Sequence, residues 1–326
     1  MLTRRAFALA VAASATGLNI ASFAAETYPA RVIKVIVPFP PGVPSEIIYR
    51  LVADRLSTKF GQPVIIENRP GGAGGTVGAA FVANADPDGY TLLASSPSPL
   101  VTAAALYKDL GYEPSSSFAS IALLFTSPQL LAVNSALPVK SLQEFVSYAK
   151  SKPGRISFAS AGYGTQPHLL GEMLKSAADI DIVHVPYKGN AAAVTDLLTG
   201  QVQVYFATPP DILPHIDGGK VRVIAVADTA RFPLLPDVPT TVESGFPGLT
   251  AEFWSGILAP AGTSATIVDQ LNLAINEIML APETRRALNQ LGAQAKPGTP
   301  QDFKAFIATE TQKWSAIIKT TGVKID

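Results

Sequence analysis

The chain has 326 residues, of which 48% are hydrophobic and only 15% are charged, a balance that excludes intrinsic disorder and leaves room for two domains. Because 25 basic residues offset 25 acidic ones, the chain lacks the basic excess of nucleic-acid-binding proteins. The absence of cysteine excludes disulfides, thiolate metal sites and cysteine nucleophiles, and the three histidines form no HExxH pair, so we expect no cofactor and no metal.

The first segment of the chain has the pattern of an export signal, and we predict that residues 1–24 are a signal peptide. Arg4 and Arg5 precede an uncharged apolar run over residues 6–15, and Ser22-Phe23-Ala24 offers the small residues that a signal peptidase reads. The apolar run is too short to span a membrane. The stretch TRRAF also fits a twin-arginine signal, and the sequence leaves both export routes open.

Short apolar runs alternate with amphipathic segments along the rest of the chain, which favours an α/β fold. Helical faces recur within residues 47–56, 267–278 and 303–318, and we expect Gly61 to end the first of these helices. No repeat or flexible linker interrupts the pattern, so two domains would have to be closely joined. The apolar runs are typical of buried strands, which we predict at 32–37, 64–66, 90–93, 121–125, 130–133, 156–158, 182–185, 202–206, 221–226 and 256–258.

The stretch VPFPPGVPSEIIYR, residues 37–50, passes from a strand through a Pro/Gly loop directly into a helix. Such a corner leaves unpaired amide N–H groups at the positive end of the helix dipole. In open α/β sheets, ligands bind beyond the carboxyl ends of the strands, where this loop would lie. Ser45 is placed to cap the helix. A rigid turn with a plain helix cap is the alternative interpretation.

The glycine-rich stretch NRPGGAGGTVGAA, residues 68–80, invites comparison with phosphate-binding loops but lacks their spacing. Valine stands at position 77, where the dinucleotide pattern requires glycine, and no lysine follows as in a P-loop. We therefore predict a tight entry into a helix that begins near Thr76.

A second strand–loop–helix corner lies in SAGYGTQPHLLGE, residues 160–172. Its His168 would lie in the first turn of the helix, where a neutral imidazole can donate a hydrogen bond to a carboxylate. A packed histidine at a helix start is the alternative. An exported hydrolase that uses His168 with Ser160 is a competing hypothesis, although the chain contains no GxSxG elbow.

A third corner of the same kind lies in HVPYKGNAAAVTDLLTGQVQVYF, residues 184–206. Tyr187 and Lys188 are candidates to reach a ligand from its loop, although a solvated charge is the simpler interpretation of Lys188. The three corners share a design in which backbone groups and hydroxyls outnumber charged side chains.

Collinear motifs along the whole mature chain resemble the substrate-binding proteins of tripartite tricarboxylate transporters, the Bug-type receptors. These motifs are VPFPPG, ENRPGGAGG, DPDGYTLL, GTQPHLLGE, VPYKG, DLLTGQV, DVPTTVESGFPG and FWSGILAPAGT. The resemblance implies an α/β fold of the type II-like, two-lobed periplasmic binding protein class, with a mixed sheet in each lobe and two crossover strands as a hinge. It also implies a receptor in the periplasm rather than an enzyme.

By this resemblance, the chain crosses between the lobes near Leu124–Leu130 and near Phe253–Leu258. Lobe one then comprises residues 26–125 together with 254–326, and lobe two comprises residues 126–253. The lobes are expected to close on the ligand by a hinge motion.

The resemblance further implies that the loops Phe39–Ser45 and Gly162–His168 hold one carboxylate through backbone groups, hydroxyls and bridging water. The expected ligand is a small carboxylate, either a dicarboxylate or an aromatic acid, which a monomer delivers to membrane transporter subunits of the tripartite tricarboxylate type. Presentation of the ligand to a signalling kinase is the alternative. The candidate ligand-binding residues are Phe39, Pro40, Pro41, Gly42, Val43, Ser45, Ser96, Gly162, Tyr163, Gly164, Thr165, Gln166, His168, Tyr187 and Thr208.

Four residues depart from the pattern of these receptors. Val43 replaces a glycine in the first loop, and Glu46 replaces the usual aspartate, which puts the role of that acid in ordering the loop in doubt. Gln203 stands where the family mostly has aspartate. Tyr163 adds a ring to the second loop, which favours an aromatic or longer apolar ligand unless it is simply a surface tyrosine.

Overall fold

The computed structural model describes residues 28–107 and 109–321, so the predicted signal peptide lies outside the described residues. The strands are β1 (Ile33–Val37), β2 (Val64–Asn68), β3 (Thr91–Ser95), β4 (Phe118–Pro128), β5 (Leu130–Asn134), β6 (Ser157–Ser160), β7 (Val183–Pro186), β8 (Val204–Ala207), β9 (Val221–Val226), β10 (Glu252–Pro260) and β11 (Gln294–Ala295). The α-helices are α1 (Glu46–Phe60), α2 (Thr76–Ala83), α3 (Ala103–Leu106), α4 (Leu142–Ser151), α5 (Gln166–Ala178), α6 (Asn190–Thr199), α7 (Pro209–Ile216), α8 (Ala265–Leu280), α9 (Pro282–Gln290) and α10 (Pro300–Thr321).

The strands form two mixed sheets. In the first sheet, the strand order is β11-β4-β10-β3-β1-β2; β1 is parallel to β2 and β3, whereas β10 is antiparallel to β3 and β4. In the second sheet, the order is β7-β6-β8-β5-β9; β6 is parallel to β7 and β8, and β5 is antiparallel to β8 and β9. The prediction of a two-lobed α/β fold with a mixed sheet in each lobe is confirmed.

The chain passes between the two sheets along a pair of adjacent strands. β4 ends at Pro128 in the first sheet, and β5 begins at Leu130 in the second, so Gln129 is the one residue between them. The chain returns to the first sheet at β10, which pairs antiparallel with β4 from Glu252↔Pro128 onwards. The two crossings are thus held side by side by this ladder, which has register shifts between Ser255 and Gly256 and between Ile257 and Leu258. The exact bounds of the lobes stay a prediction.

A large hydrophobic cluster joins residues of both sheets and both lobes. It includes Leu93 beside β1, Phe158 on β6, and Phe303 and Trp314 on the long helix α10. α10 packs against β4 and against α5, so it contacts both lobes. Fully burying such side chains stabilises the fold by roughly 1.5–3 kcal/mol each.

Local sequence signals explain most of these boundaries. Gly61 ends α1 as predicted: its φ of 65° is left-handed, and its amide donates to the Ser57 carbonyl. Each predicted strand overlaps an observed one, whereas the two-residue β11 carries too little pattern to be found. None of the helices within the described ranges is long and apolar enough to cross a membrane.

Candidate functional site

A cleft of about 700 Å³ lies where the carboxyl ends of the parallel strands of both sheets converge. Its lining includes segments that directly follow β1, β2 and β3 in the first sheet and β6, β7 and β8 in the second. Ligands of open α/β sheets bind in this position because the loops and helix starts that follow the strands gather there.

The side chain of Glu46, the second residue after the proline-rich turn, holds the loop after β1 in place by hydrogen bonds. Gly42, which has a left-handed φ of 91°, donates its amide N–H to Glu46 Oε2 across 2.9 Å. Arg50 forms an ion pair with Glu46 Oε1, and Asn68 Nδ2 donates to the Phe39 carbonyl across 3.1 Å. Burial raises the pKa of Glu46, but the hydrogen bond from Gly42 and the interactions with Arg50 and Asn68 outweigh it, so the pKa is lowered overall.

The start of α1 differs from the predicted cap. Ser45 occupies the N-cap position, but its side chain makes no capping hydrogen bond, so that expectation is wrong. Instead, the amides of Glu46 and Ile47 donate to the carbonyls of Val43 and Pro44 in tight turns. Val43 and Ser45 line the cleft, and their amides donate to no acceptor among the described residues.

The loop after β6 is held by a compact set of hydrogen bonds. The Gly162 amide donates to Ser160 Oγ, and both Ser160 Oγ and Thr165 Oγ1 donate to the Gly162 carbonyl, at 3.0 and 2.7 Å. Thr102, which belongs to the π-helical turn Ser98–Thr102 after β3, donates its hydroxyl to the Gly164 carbonyl across 2.7 Å. The second loop is thereby tied to a segment of the first lobe.

His168 lies behind this loop rather than in the lining of the cleft. It is 4% exposed, and its Nδ1 accepts the Gly164 amide N–H across 3.1 Å, which places the ring proton on Nε2. The ring stacks on His184, with centroids 4.0 Å apart. Burial, together with the positive charge of Lys175, lowers the pKa of His168 to about 4, so the imidazole is neutral at pH 7. The position favours support of the loop, and direct ligand contact stays a prediction.

Ser160 contacts His184 rather than His168. Its Oγ lies 2.7 Å from His184 Nε2, and Ser160 is fully buried. Because the same oxygen also bonds the Gly162 amide and carbonyl, it has no free approach to a substrate in the cleft.

The corners after β7 and β8 are locked to each other. Asp211 Oδ2 accepts from Asn190 Nδ2 and from Thr208 Oγ1, at 2.8 and 2.7 Å, which joins the starts of α6 and α7. Burial raises the pKa of Asp211 despite these hydrogen bonds. The Tyr187 hydroxyl donates to Asp196 Oδ2 across 2.7 Å, so the hydroxyl of this lining residue is already hydrogen-bonded.

The electrostatic character of the cleft comes mainly from helix ends. The starts of α1, α5, α6 and α7 all contribute lining residues. Among the described residues that line the cleft, none is acidic and Lys188 alone carries a cationic side chain. Unpaired amides and the positive ends of helix dipoles bind anions without a side-chain cation, so the arrangement suits a carboxylate.

The glycine-rich loop after β2 also reaches the cleft, which the sequence interpretation missed. α2 begins at Thr76, so the predicted tight helix entry is confirmed. Gly75 has a φ of 90°, and a Cβ there would come within 2.8 Å of the Pro38 carbonyl oxygen, so only glycine fits. Four glycines of the loop line the cleft: Gly71, Gly72, Gly74 and Gly75.

The floor of the cleft comes from the crossing strands, and sequence reasoning did not find it. Phe125, Ser127 and Gln129 occupy alternate positions, which in a strand share one face. Phe253 on β10 lies opposite Ser127. Only the pairing of β4 with β10, which joins distant parts of the chain, identifies these residues as a surface.

Three buried polar atoms in lining residues have no hydrogen-bond partner among the described residues: Tyr107 Oη, Gln129 Oε1 and Tyr205 Oη. Tyr205 is 0% exposed and Gln129 is 1% exposed. An unpaired buried polar atom costs roughly 1–3 kcal/mol, so a water or ligand that reached any of these three atoms would remove that cost.

The structure brings most of the predicted site residues together at the cleft, although their contact with a ligand remains a prediction. Those that line it are Phe39, Pro40, Val43, Ser45, Ser96, Gly162, Tyr163, Thr165, Gln166, Tyr187 and Thr208. Those outside the lining are Pro41, Gly42, Gly164 and His168. Of the residues that depart from the family pattern, Val43 and Tyr163 line the cleft, whereas Glu46 and Gln203 do not.

A family model described as the tripartite tricarboxylate transporter family receptor matches residues 48–323. The chain belongs to this family. The resemblance identified from the collinear motifs is therefore confirmed, and the family is one of solute-binding receptors.

Among known members of the receptor family, the protein BugT of Bordetella pertussis is 37% identical over 312 residues, covering 95% of both chains. The solved structure of Rpa4515 from R. palustris, with adipate, is 33% identical with a TM-score of 0.86 and covers 91% of this chain and 99% of its own. MatC from Rhodopseudomonas palustris, with bound malate, is 34% identical with a TM-score of 0.82 and covers 89% and 100%.

Proposed function

We propose that this receptor captures a small carboxylate in the cleft between its lobes and delivers it to membrane subunits of a tripartite tricarboxylate transporter. Family membership supports the general role, and the geometry of the cleft supports the class of ligand. The predicted signal peptide supports export to the periplasm and removal of residues 1–24.

The proposal rests on one observation: helix starts from both lobes converge on one cleft, and none of the described residues that line it is acidic. The amides of Val43 and Ser45 come from the first lobe, and the starts of α5, α6 and α7 come from the second. A carboxylate between them would accept hydrogen bonds from both sides, whereas a cation would meet the positive ends of the dipoles. Two relatives with bound adipate and malate agree with an anionic ligand.

Ligand binding would close the lobes about the β4–β10 ladder. We place the lobes at residues 26–125 with 254–326 and at 126–253, in keeping with the two sheets. Gln129 and the first residues of β10 are the connections that would bend, because both separate one sheet from the other. The packing of α10 on β4 and α5 would limit the range of that motion.

The buried position of Ser160 supports a receptor rather than a hydrolase. A nucleophile needs access to the substrate, but the Ser160 hydroxyl is enclosed by His184 and the Gly162 backbone.

The proposal is tested by matched ligands that differ in charge. Adipate, malate, citrate and benzoate are titrated into the mature protein by calorimetry beside adipamide and benzamide, which keep the shape but not the charge. At least one carboxylate should bind and raise the melting temperature, whereas its amide should not. Equal binding of an acid and its amide, or turnover of an ester panel, would overturn the carboxylate receptor.

A further inference from the structure

We infer that the ligand of the cleft is a carboxylate built on an aromatic ring, an inference that rests on the proposed function and narrows its substrate class. Seven of the 34 lining residues are aromatic, in a chain that is 8% aromatic overall. These are Phe39, Tyr107, Phe125, Tyr163, Tyr187, Tyr205 and Phe253. Pockets for small molecules are commonly lined by aromatic side chains, and in this cleft the rings offer flat apolar surface against which a ligand ring would pack.

The floor of the cleft contains two aromatic rings against which the ring of a ligand could pack. Phe125 on β4 and Phe253 on β10 lie on the same face of the ladder, with ring centroids 6.2 Å apart and planes tilted by 40°. Leu291 and Ala293 line the cleft beside them and belong to the same hydrophobic cluster. Aromatic rings prefer tilted or offset neighbours at about 4.5–7 Å, so a ligand ring would extend this pair.

The floor also disfavours a second ionised group at that end of the ligand. Phe125, Phe253, Leu291 and Ala293 offer no side-chain donor, and the floor's polar residues already donate elsewhere: the Ser127 hydroxyl to the Gly292 carbonyl across 3.1 Å, and Gln129 Nε2 to Gln166 Oε1. A carboxylate against this surface would lose hydration without gaining a strong partner. The donors lie instead at the helix starts. A ligand with its carboxylate at the helix starts and its ring on the floor satisfies both surfaces, whereas a short aliphatic dicarboxylate leaves the floor uncovered.

Rings from both lobes reach the cleft above the floor. Phe39 belongs to the loop after β1, and Tyr163 belongs to the loop after β6 and is 49% exposed. Closure of the lobes would bring these side chains over a bound ring. Tyr163, which departs from the family pattern in the second loop, would thus contribute to ligand selection.

Calorimetric titration with benzoate and cyclohexanecarboxylate separates aromatic from merely apolar recognition, because both are monocarboxylates with six-membered rings. Benzoate should bind about tenfold more tightly. Equal affinities, or binding of adipate or citrate but not of benzoate, would overturn the aromatic inference and leave the carboxylate function standing. Failure of every carboxylate to bind would overturn both.

Substitution of the floor gives a second test. Phe253→Leu keeps an apolar residue but removes the ring, so benzoate affinity should fall by about two- to tenfold while cyclohexanecarboxylate affinity changes by less than about twofold. Phe81→Leu makes the same change on α2 outside the cleft and should leave both affinities unchanged. Thermal melting checks that each variant is folded, and Phe39→Leu serves the same comparison if Phe253→Leu is not. An unchanged affinity ratio in a folded floor variant would contradict the assignment.

Discussion

The side chain of Gln129, between β4 and β5, donates its Nε2 to Gln166 Oε1 at the start of α5 across 3.1 Å. Gln166 Nε2 in turn donates to the carbonyl of Glu252, the first residue of β10, across 2.9 Å. Because a carbonyl only accepts, the second bond fixes the orientation of both amides. The first residue of α5 is therefore bonded to both segments at which the chain crosses between the sheets.

Replacement of Gln166 by Leu should weaken both the fold and ligand binding. Gln166→Leu leaves Gln129 Nε2 and the Glu252 carbonyl without partners, at a cost of roughly 2 kcal/mol in the free energy of unfolding. Carboxylate affinity should fall as well, because the second loop loses its connection to the crossing strands. Urea unfolding and calorimetric titration measure the two effects.

A matched control is Gln143→Leu, which removes a single hydrogen bond to the Ser244 carbonyl outside the cleft. It should leave ligand affinity unchanged. If Gln166→Leu also left ligand affinity unchanged, the hydrogen bonds of Gln166 to Gln129 and Glu252 would not contribute to ligand binding.

Replacement of Glu46 by Gln should destabilise the first loop in a pH-dependent manner. The pKa of the Glu46 carboxyl is lowered in the folded protein, so its stabilising effect is present above the ordinary carboxyl pKa and is lost as the pH falls through the folded value. The melting temperature of Glu46→Gln should lie below that of the wild type at pH 7, and the gap should close as the pH falls below the ordinary carboxyl pKa. A gap of constant size would argue against a stabilising charge on Glu46.

Protonation of the stacked histidines should destabilise the protein in mild acid. Burial lowers the pKa of His168 to about 4 and that of His184 to about 3, both below the ordinary value of 6.5. The unfolded chain therefore binds more protons between these values, and stability is lost as the pH falls from 6.5 towards 4. His168→Gln should flatten this part of the melting curve against pH. Parallel curves for wild type and His168→Gln would contradict the coupling.

Removal of the unpaired Tyr205 hydroxyl should not harm the ligand-free protein. Tyr205→Phe deletes a buried oxygen without a partner among the described residues, so the free energy of unfolding should stay constant or rise by about 1 kcal/mol. Tyr49→Phe is the contrast, because the Tyr49 hydroxyl lies 2.6 Å from Ser255 Oγ, and its loss should cost roughly 1 kcal/mol. Equal destabilisation by both changes would indicate that Tyr205 Oη has a partner.

The sequence by itself determined the class of fold, the order of the elements and the corners at which loops open into helices. These features depend on local patterns: apolar runs for strands, helical spacing at residues 47–56, and glycines such as Gly61 that end helices. The collinear motifs also identified the family. The loops around Val43 and Thr165 were found because each follows a strand, and strand ends of one sheet meet by topology.

The contacts of individual side chains with distant residues were decided only by the tertiary structure. Whether Ser45 caps its helix, whether Glu46 and His168 lie in the lining of the cleft or bond a loop from behind it, and which strand residues form the floor all depend on contacts between distant parts of the chain. Phe125 and Phe253 are separated by more than a hundred residues and become one surface only through the pairing of β4 with β10. The direction of a side chain is set by packing against such partners, and a residue's neighbours along the sequence do not specify which partners it meets.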